Sequence, residues 1–412
     1  MKSPVRETFL ALASILVLSC FPAAEEEPKI NAPFTPPYPA NVLLISLDTT
    51  RADHLSAYGY PRQTSPNLEK LAARGHRFDS AFTTIPSTLP SHASMLTSLY
   101  PSSLGVRGNG QRVPQEANTL AERLGARGYR TAAFVSEIPL DASTGIDQGF
   151  QTYNGPGDFA IREAIHWIRD EQFTDPTELD RPDLRSKVDA IVNRQSESKS
   201  VSQPFFAFVH LFDPHARYNV HSDSPEGLRV PHGAYPGQRG VIENPDDFTP
   251  EHIERTIKAY DAEIHHADRR IGELLEALGS FGVADRTLVI FVSDHGETLD
   301  ELLDEIPYGF DHGEFLHTRE LRVPLVIALP KNFGGETPAI HRQPVSTIDL
   351  MPTILEIIGA TCDAPCEGRS LVPLLFGDDL PSRAVFSERR WVSPEIPPTA
   401  SRTMSVAEGR WR

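Results

Sequence analysis

Five short runs of this chain are apolar almost without interruption: NVLLISL (41–47), RTAAFVS (130–136), FFAFVHLF (205–212), TLVIFVS (287–293) and VPLVIAL (323–329). Each has the length of a strand and is rich in Val, Ile or Phe. A continuous run, as opposed to strict apolar–polar alternation, marks a strand buried on both faces. The segments between them have a different period. EANTLAERLGARG (116–128), DFAIREAIHWIRDEQ (158–172) and PEHIERTIKAYDAEIHHADRRIGELLEALGSFG (250–282) space their apolar residues as helices do. In the last, Ile253, Ile257, Tyr260, Ile264, Ile271, Leu274, Leu275 and Leu278 keep one stripe, the core-facing side of a long helix. Buried strands alternating with helices predict an α/β fold: a doubly wound, mostly parallel sheet flanked by helices. Residues 216–250, rich in Gly, Pro, Asp and His and without a period, predict a long loop over the carboxyl edge of that sheet.

Composition narrows the function. A formal net charge of −17 and a pI near 5.3 argue against a nucleic-acid partner, which requires a basic face. A small anionic substrate stays open, given locally concentrated positive charge. The N-terminus is a targeting segment: Lys2 and Arg6 precede FLALASILVLS, an apolar stretch too short to span a bilayer. It ends LVLSC, which resembles a bacterial lipobox with Cys20 as the lipidated residue. Plain cleavage near Ala23-Ala24 is the alternative. Residues 1–20 are thus expected to be a lipoprotein-type signal peptide and 21–40 a Pro-rich acidic tether, so that the chain is exported, held at the periplasm or cell surface, and touches membrane only through its lipid. Cys362 and Cys366 have no Cys or His cluster nearby. In an oxidising compartment they read as a short disulfide, with two buried thiols as the alternative. Nothing in the sequence sets the oligomeric state.

In open parallel sheets, ligands bind beyond the carboxyl ends of the strands. Here those ends carry unusual groups. NVLLISL runs into Asp48, FFAFVHLF contains His210 and leads to His215, and TLVIFVS runs into Asp294-His295-Gly296-Glu297. An Asp after a strand is ordinarily a helix cap, and a lone His ordinarily a satisfied loop residue. Three strands delivering such groups to one edge point instead to a divalent metal site. STLPSHASMLT (87–97) predicts a helix whose first turn contains Pro90 and whose free N–H groups favour an anion. Thr88 stands there. Its hydroxyl is a weak nucleophile unless a metal activates it; the plainer role is that Ser87 or Thr88 caps the helix.

These residues together resemble the sulfatase family of the alkaline-phosphatase superfamily, over nearly the whole chain. NVLLISLDTTRADHLSAYGY resembles the family's opening strand and metal aspartate. TLPSHASMLTSLYP stands where the family has Cys/Ser-x-Pro-Ser-Arg, PFFAFVHLFDPHARY resembles the strand ending in Pro-His, and FVSDHGE resembles the second metal motif. RELRVPLVIALP and STIDLMPTILEIIGA with GRSLVPLL follow in family order. The resemblance implies a catalytic domain over 41–385, one divalent metal ion held by Asp48, Thr88, Asp294 and His295, and Thr88 as nucleophile. It implies His215, with His210 as a second candidate, near the leaving group, and His92, Arg107, Asn109 and His312 as site-lining or substrate-contacting groups. Residues 386–412 would begin a short or truncated C-terminal subdomain.

Three positions depart from the family pattern. The nucleophile place holds Thr88, so no formylglycine is expected; the arginine of that motif is His92; and the second aspartate of the opening pair is Thr49. Two carboxylates, a hydroxyl and an imidazole do not decide among Mn, Zn, Ca and Mg, although they favour a borderline ion. A second metal on Asp261 and His265, four apart on the long helix, is the less favoured reading; Asp261 as a structural residue is preferred. The expected activity is hydrolysis of sulfate or phosphate-type esters. A phospho-group transferase acting on envelope glycans or lipids and an inactive surface-tethered binding protein are the competing classes.

Overall fold

The structure, a computed structural model, describes residues 36–37, 39–172, 203–219, 221, 224–230, 240–242, 248–331, 333–335, 338–362 and 365–389, with the backbone at 404–407 and 410–411. The expected signal peptide, Cys20, nearly all of the tether and much of 386–412 lie outside these residues.

Strands β1 (Asn41–Leu47), β2 (His76–Phe82), β3 (Arg130–Phe134), β4 (Thr152–Asn154) and β5 (Phe205–Leu211) are followed by β6 (Gly240–Val241), β7 (Thr287–Val292) and β8 (Tyr308–Gly309). Then come β9 (Arg322–Ala328), β10 (Ala339–His341), β11 (Val345–Ser346) and β12 (Val385–Ser387). Nine strands form the main sheet among the described residues, in the order β10-β2-β9-β7-β1-β5-β3-β4 with β11 also on β2. Every residue of β1, β5 and β7 is buried, as continuous apolar runs require of strands covered on both faces. On one face the long helix Pro250–Ser280 lays Tyr260, Ile264, Ile271, Leu274 and Leu278 onto β-strand side chains such as Leu43, Ile45, Val209 and Phe291.

The sheet is parallel except at β9, which runs antiparallel to both β2 and β7. The reason is geometric. The excursion 293–321 leaves and returns at the same carboxyl edge, with no crossover helix to carry it to the opposite end, so the next strand has to run backwards. The predicted loop 216–250 is not wholly irregular: β6 within it pairs with β8. At the C-terminal side, β12 pairs with β13 (Met404–Ala407), and β13 with β14 (Arg410–Trp411), all antiparallel. Cys362 and Cys366 form a disulfide. No helix among the described residues is long and apolar enough to cross a membrane.

Candidate active site

β1 lies between β5 and β7, with Ser46 in register with both His210 and Val292. The carboxyl ends of these neighbours therefore meet. Asp48, Asp294 and His295 are fully buried and bring one donor atom each to within 4.8 Å of one another. The approach is held by backbone N–H groups and by a neighbouring histidine. Asp294 Oδ1 accepts from the backbone N–H groups of Thr49 (3.2 Å) and His295 (2.8 Å). His210 Nε2–H donates to Asp48 Oδ2 at 3.3 Å. Thr49 takes a left-handed φ of 47°, strained for a β-branched residue. Its carbonyl accepts from the Tyr260 hydroxyl at 2.7 Å, which also accepts from Arg51 N–H at 2.9 Å, so the long helix pins this turn. Gly296 has no room for a side chain: a Cβ would stand 1.9 Å from the Arg319 carbonyl oxygen.

The residues fit a divalent cation. Asp48 Oδ1, Asp294 Oδ2 and His295 Nε2 are buried without a hydrogen-bond partner, an arrangement that costs free energy unless something positive completes it. His295 Nδ1–H donates to the Gly296 carbonyl at 3.0 Å, which leaves the Nε2 lone pair facing the carboxylates, the tautomer a metal ligand needs. Without a cation, burial pushes both Asp48 and Asp294 above the usual carboxylate range, and the Asp48 charge pushes Asp294 further in the same direction. Burial likewise drives the His295 imidazole down. Two anions and a neutral imidazole are therefore the state a cation would select.

The helix Thr88–Thr97 is wholly buried and starts beside this trio. Ser91 Oγ donates to the Asp294 carbonyl at 2.7 Å. His92 Nδ1–H donates to the Thr88 carbonyl (2.8 Å) while its Nε2 accepts from Ser46 Oγ (2.8 Å), and its ring stands 3.7 Å from Asp294 Oδ2. Neither Ser87 nor Thr88 supplies the cap. Ser87 makes no capping bond; the oxygen of Asn109 does so from a distant loop, accepting from Leu89 N–H and Ser87 Oγ–H at 3.0 Å each. Thr88 is thus 2 % exposed at an N-terminus capped by another residue, which spares its hydroxyl that structural duty.

The other sequence candidates separate into two groups. His215 and His312 lie on the more open side: His312 packs at 4.3 Å from the His295 ring centroid and 5.2 Å from that of His215. Burial alone would lower the His312 pKa, but Glu297, bonded to its Nδ1 at 3.1 Å, Asp311 and Asp48 push it up to about 10. His210 and His92 are fully buried and line the inner side of the trio: His210 bonds Asp48, and His92 bonds the Thr88 carbonyl with its ring beside Asp294. Asn109 caps the helix that starts at Thr88. Arg107 pairs with Glu388 at 3.5 Å, outside the histidine cluster.

Residues 40–360 match the family described as Sulfatase. This chain belongs to that family. A sulfatase relative, the choline-sulfatase of Rhizobium meliloti, is 26% identical over 412 residues, covering 90% of this chain and 77% of the relative. A multifunctional alkaline phosphatase superfamily protein of Trinickia caryophylli is 28% identical over 419 residues, covering 81% and 77%. Among solved structures, the phosphonate monoester hydrolase of Agrobacterium radiobacter aligns with a TM-score of 0.61 at 21% identity, covering 90% of this chain and 85% of that one. At that identity the likeness establishes the fold.

Sequence reasoning named Glu297 at the strand end without a role and missed Asp311; with His312 they form a second group of converging donors, displayed by the DHGE and DHG motifs. It also missed Ser46 and Ser91, hydroxyls whose importance lies in contacts far along the chain. Asp261 is a structural residue: its carboxylate is shared by His54 (2.7 Å), Tyr60 (2.8 Å) and Arg62 (2.7 Å), and it is in neither converging group.

Proposed function

We propose that this chain, a hydrolase of the sulfuric and phosphoric ester class, cleaves sulfate, phosphate or phosphonate esters through Thr88, with one divalent ion at Asp48, Asp294 and His295. The observation supporting this reading is the fully buried Asp48–Asp294–His295 trio, one donor atom of each without a hydrogen-bond partner, against the helix that starts at Thr88. A bound divalent ion, with Thr88 as a further ligand, would lower the hydroxyl pKa and offset the charge of the ester's non-bridging oxygens. Thr88, its hydroxyl proton given up to solvent, attacks sulfur or phosphorus through Oγ1 as the bond to the leaving oxygen, in line with it, breaks. His215, on the open side beside His312, gives that oxygen its proton. Water then hydrolyses the covalent threonine ester. His92, neutral because burial drives its pKa down, holds the Thr88 backbone instead of contributing the charge of the family's arginine.

A panel of aryl sulfate, phosphate monoester, phosphate diester and phosphonate monoester tests the reading. Turnover of at least one above the buffer rate is expected; turnover of none, with metal supplied, would overturn it.

We also propose that the protein is exported and anchored through Cys20, on the strength of the LVLSC boundary. The Cys362–Cys366 disulfide suits an oxidising compartment. Growth with a fatty-acid analogue should label the wild type and leave Cys20→Ala unlabelled. An unlabelled wild type with its N-terminus near Glu25 would mean ordinary secretion.

A further inference from the structure

A cavity of about 580 Å³ has His215 in its wall, next to the ring contacts that lead through His312 to His295. Its other side is arginine-rich. Arg162, Arg217, Arg269 and Arg270 all line it, in a chain of net charge −17. Two of the four are internally matched. Arg270 donates to both carboxylate oxygens of Asp213 at 3.0 Å, and Arg269 bonds Glu273 at 2.5 Å. Arg162 and Arg217 pair with no carboxylate among the described residues. The Arg162 guanidinium lies 4.1 Å over the ring of Phe159, an aromatic side chain left 53% exposed at the same cavity.

We propose that this cavity receives a second anionic group, a carboxylate or a sulfate, carried on a ring in the leaving-alcohol part of the substrate. The inference rests on the hydrolase reading above and adds the substrate class. His215 stands between the buried trio and the cavity, so an ester reacting at Thr88 directs its leaving group into the cavity. Arg162 and Arg217 supply uncommitted donors in the fork geometry that matches carboxylate and sulfate oxygens. Phe159, one face under Arg162 and the side chain still half exposed, offers the rest of its ring as apolar surface for the ring that joins the two anions.

Sulfate and methylphosphonate esters of 4-hydroxybenzoate, each against the ester of 4-hydroxybenzamide, read the cavity by kinetics. The wild type is expected to show a KM about tenfold lower for the carboxylate-bearing ester, at similar kcat. Arg162→Gln and Arg217→Gln should each remove about threefold of that ratio, and together bring it to about one. Equal KM values in the wild type, or a ratio surviving in the double variant, would overturn the proposal. Calorimetric titration with 4-sulfobenzoate against benzenesulfonate gives a readout without turnover. Preferential binding of the dianion that vanishes in the double variant sustains the subsite even if no ester is hydrolysed, an outcome that would defeat only the hydrolase reading. Equal binding of the two probes overturns the subsite.

Discussion

Thr88→Ala is expected to lower kcat on every ester the enzyme turns over by a factor on the order of 10⁴, the scale seen when a covalent nucleophile is removed. The protein should remain folded, because the helix it starts is capped by Asn109 and not by the lost hydroxyl. Thr88→Ser keeps a hydroxyl and should retain far more activity; equal losses in both variants would make the role structural. The threonine also fixes which esters should react best. Its β-carbon carries a methyl group, so the oxidation that converts Cys or Ser to formylglycine in other sulfatases cannot give an aldehyde here. An aldehyde hydrate expels sulfate by collapsing to the carbonyl, without attack at sulfur. A threonine sulfate has no such exit and must be hydrolysed at sulfur, whereas a phosphothreonine can be cleared by in-line attack of water at phosphorus. The expected order is therefore higher kcat/KM on phosphate diesters or phosphonate monoesters than on aryl sulfates. An aryl sulfate turned over faster than every phosphorus ester in the panel would defeat the argument.

Removal of the proposed divalent ion is expected to cost stability as well as activity. Elemental analysis of the purified protein is expected to find about one divalent ion per chain, and Asp294→Ala to lose it. Chelation should lower the wild-type Tm by on the order of 5–10 °C, reversibly, since a ligand held at a large excess over its Kd contributes about 4 kcal/mol. The physical cause is that Asp48 and Asp294 share one fully buried site; without a cation burial and mutual repulsion disfavour the two anions, which are then held only as far as they take up protons. In Asp294→Ala the chelator should shift the Tm little, because the site is already lost. Full metal occupancy in that variant, or a wild-type Tm indifferent to chelation, would reject the site.

The legible part of this molecule is the part governed by local patterns. β1, β5 and β7 are readable because a strand buried on both faces must be apolar at every position. Their polar ends are readable for the same reason: Asp48 and Asp294 interrupt runs that have no other cause to stop there. β2 escapes notice because its burial is interrupted at Arg77, Asp79 and Ser80, so no continuous run marks it. The reversal of β9 is equally invisible, since VPLVIAL is as apolar in either direction.

Sequence by itself determined the fold class, the long helix and the approximate place of the reactive groups, because periodicity and strand length record burial residue by residue. Tertiary structure alone decided what each group does there. His92 and His210 look like catalytic or substrate-contacting candidates in a string of letters. Only the packing of helix Thr88–Thr97 and β5 against the end of β1 turns them inward, as supports for Thr88 and Asp48. Asn109 caps a helix 20 residues away from its own position, and Arg162 and Arg217 face one cavity from separate segments. Such pairings depend on which surfaces the sheet order brings together. That order follows from long-range packing of the whole chain, which no window of neighbouring residues contains.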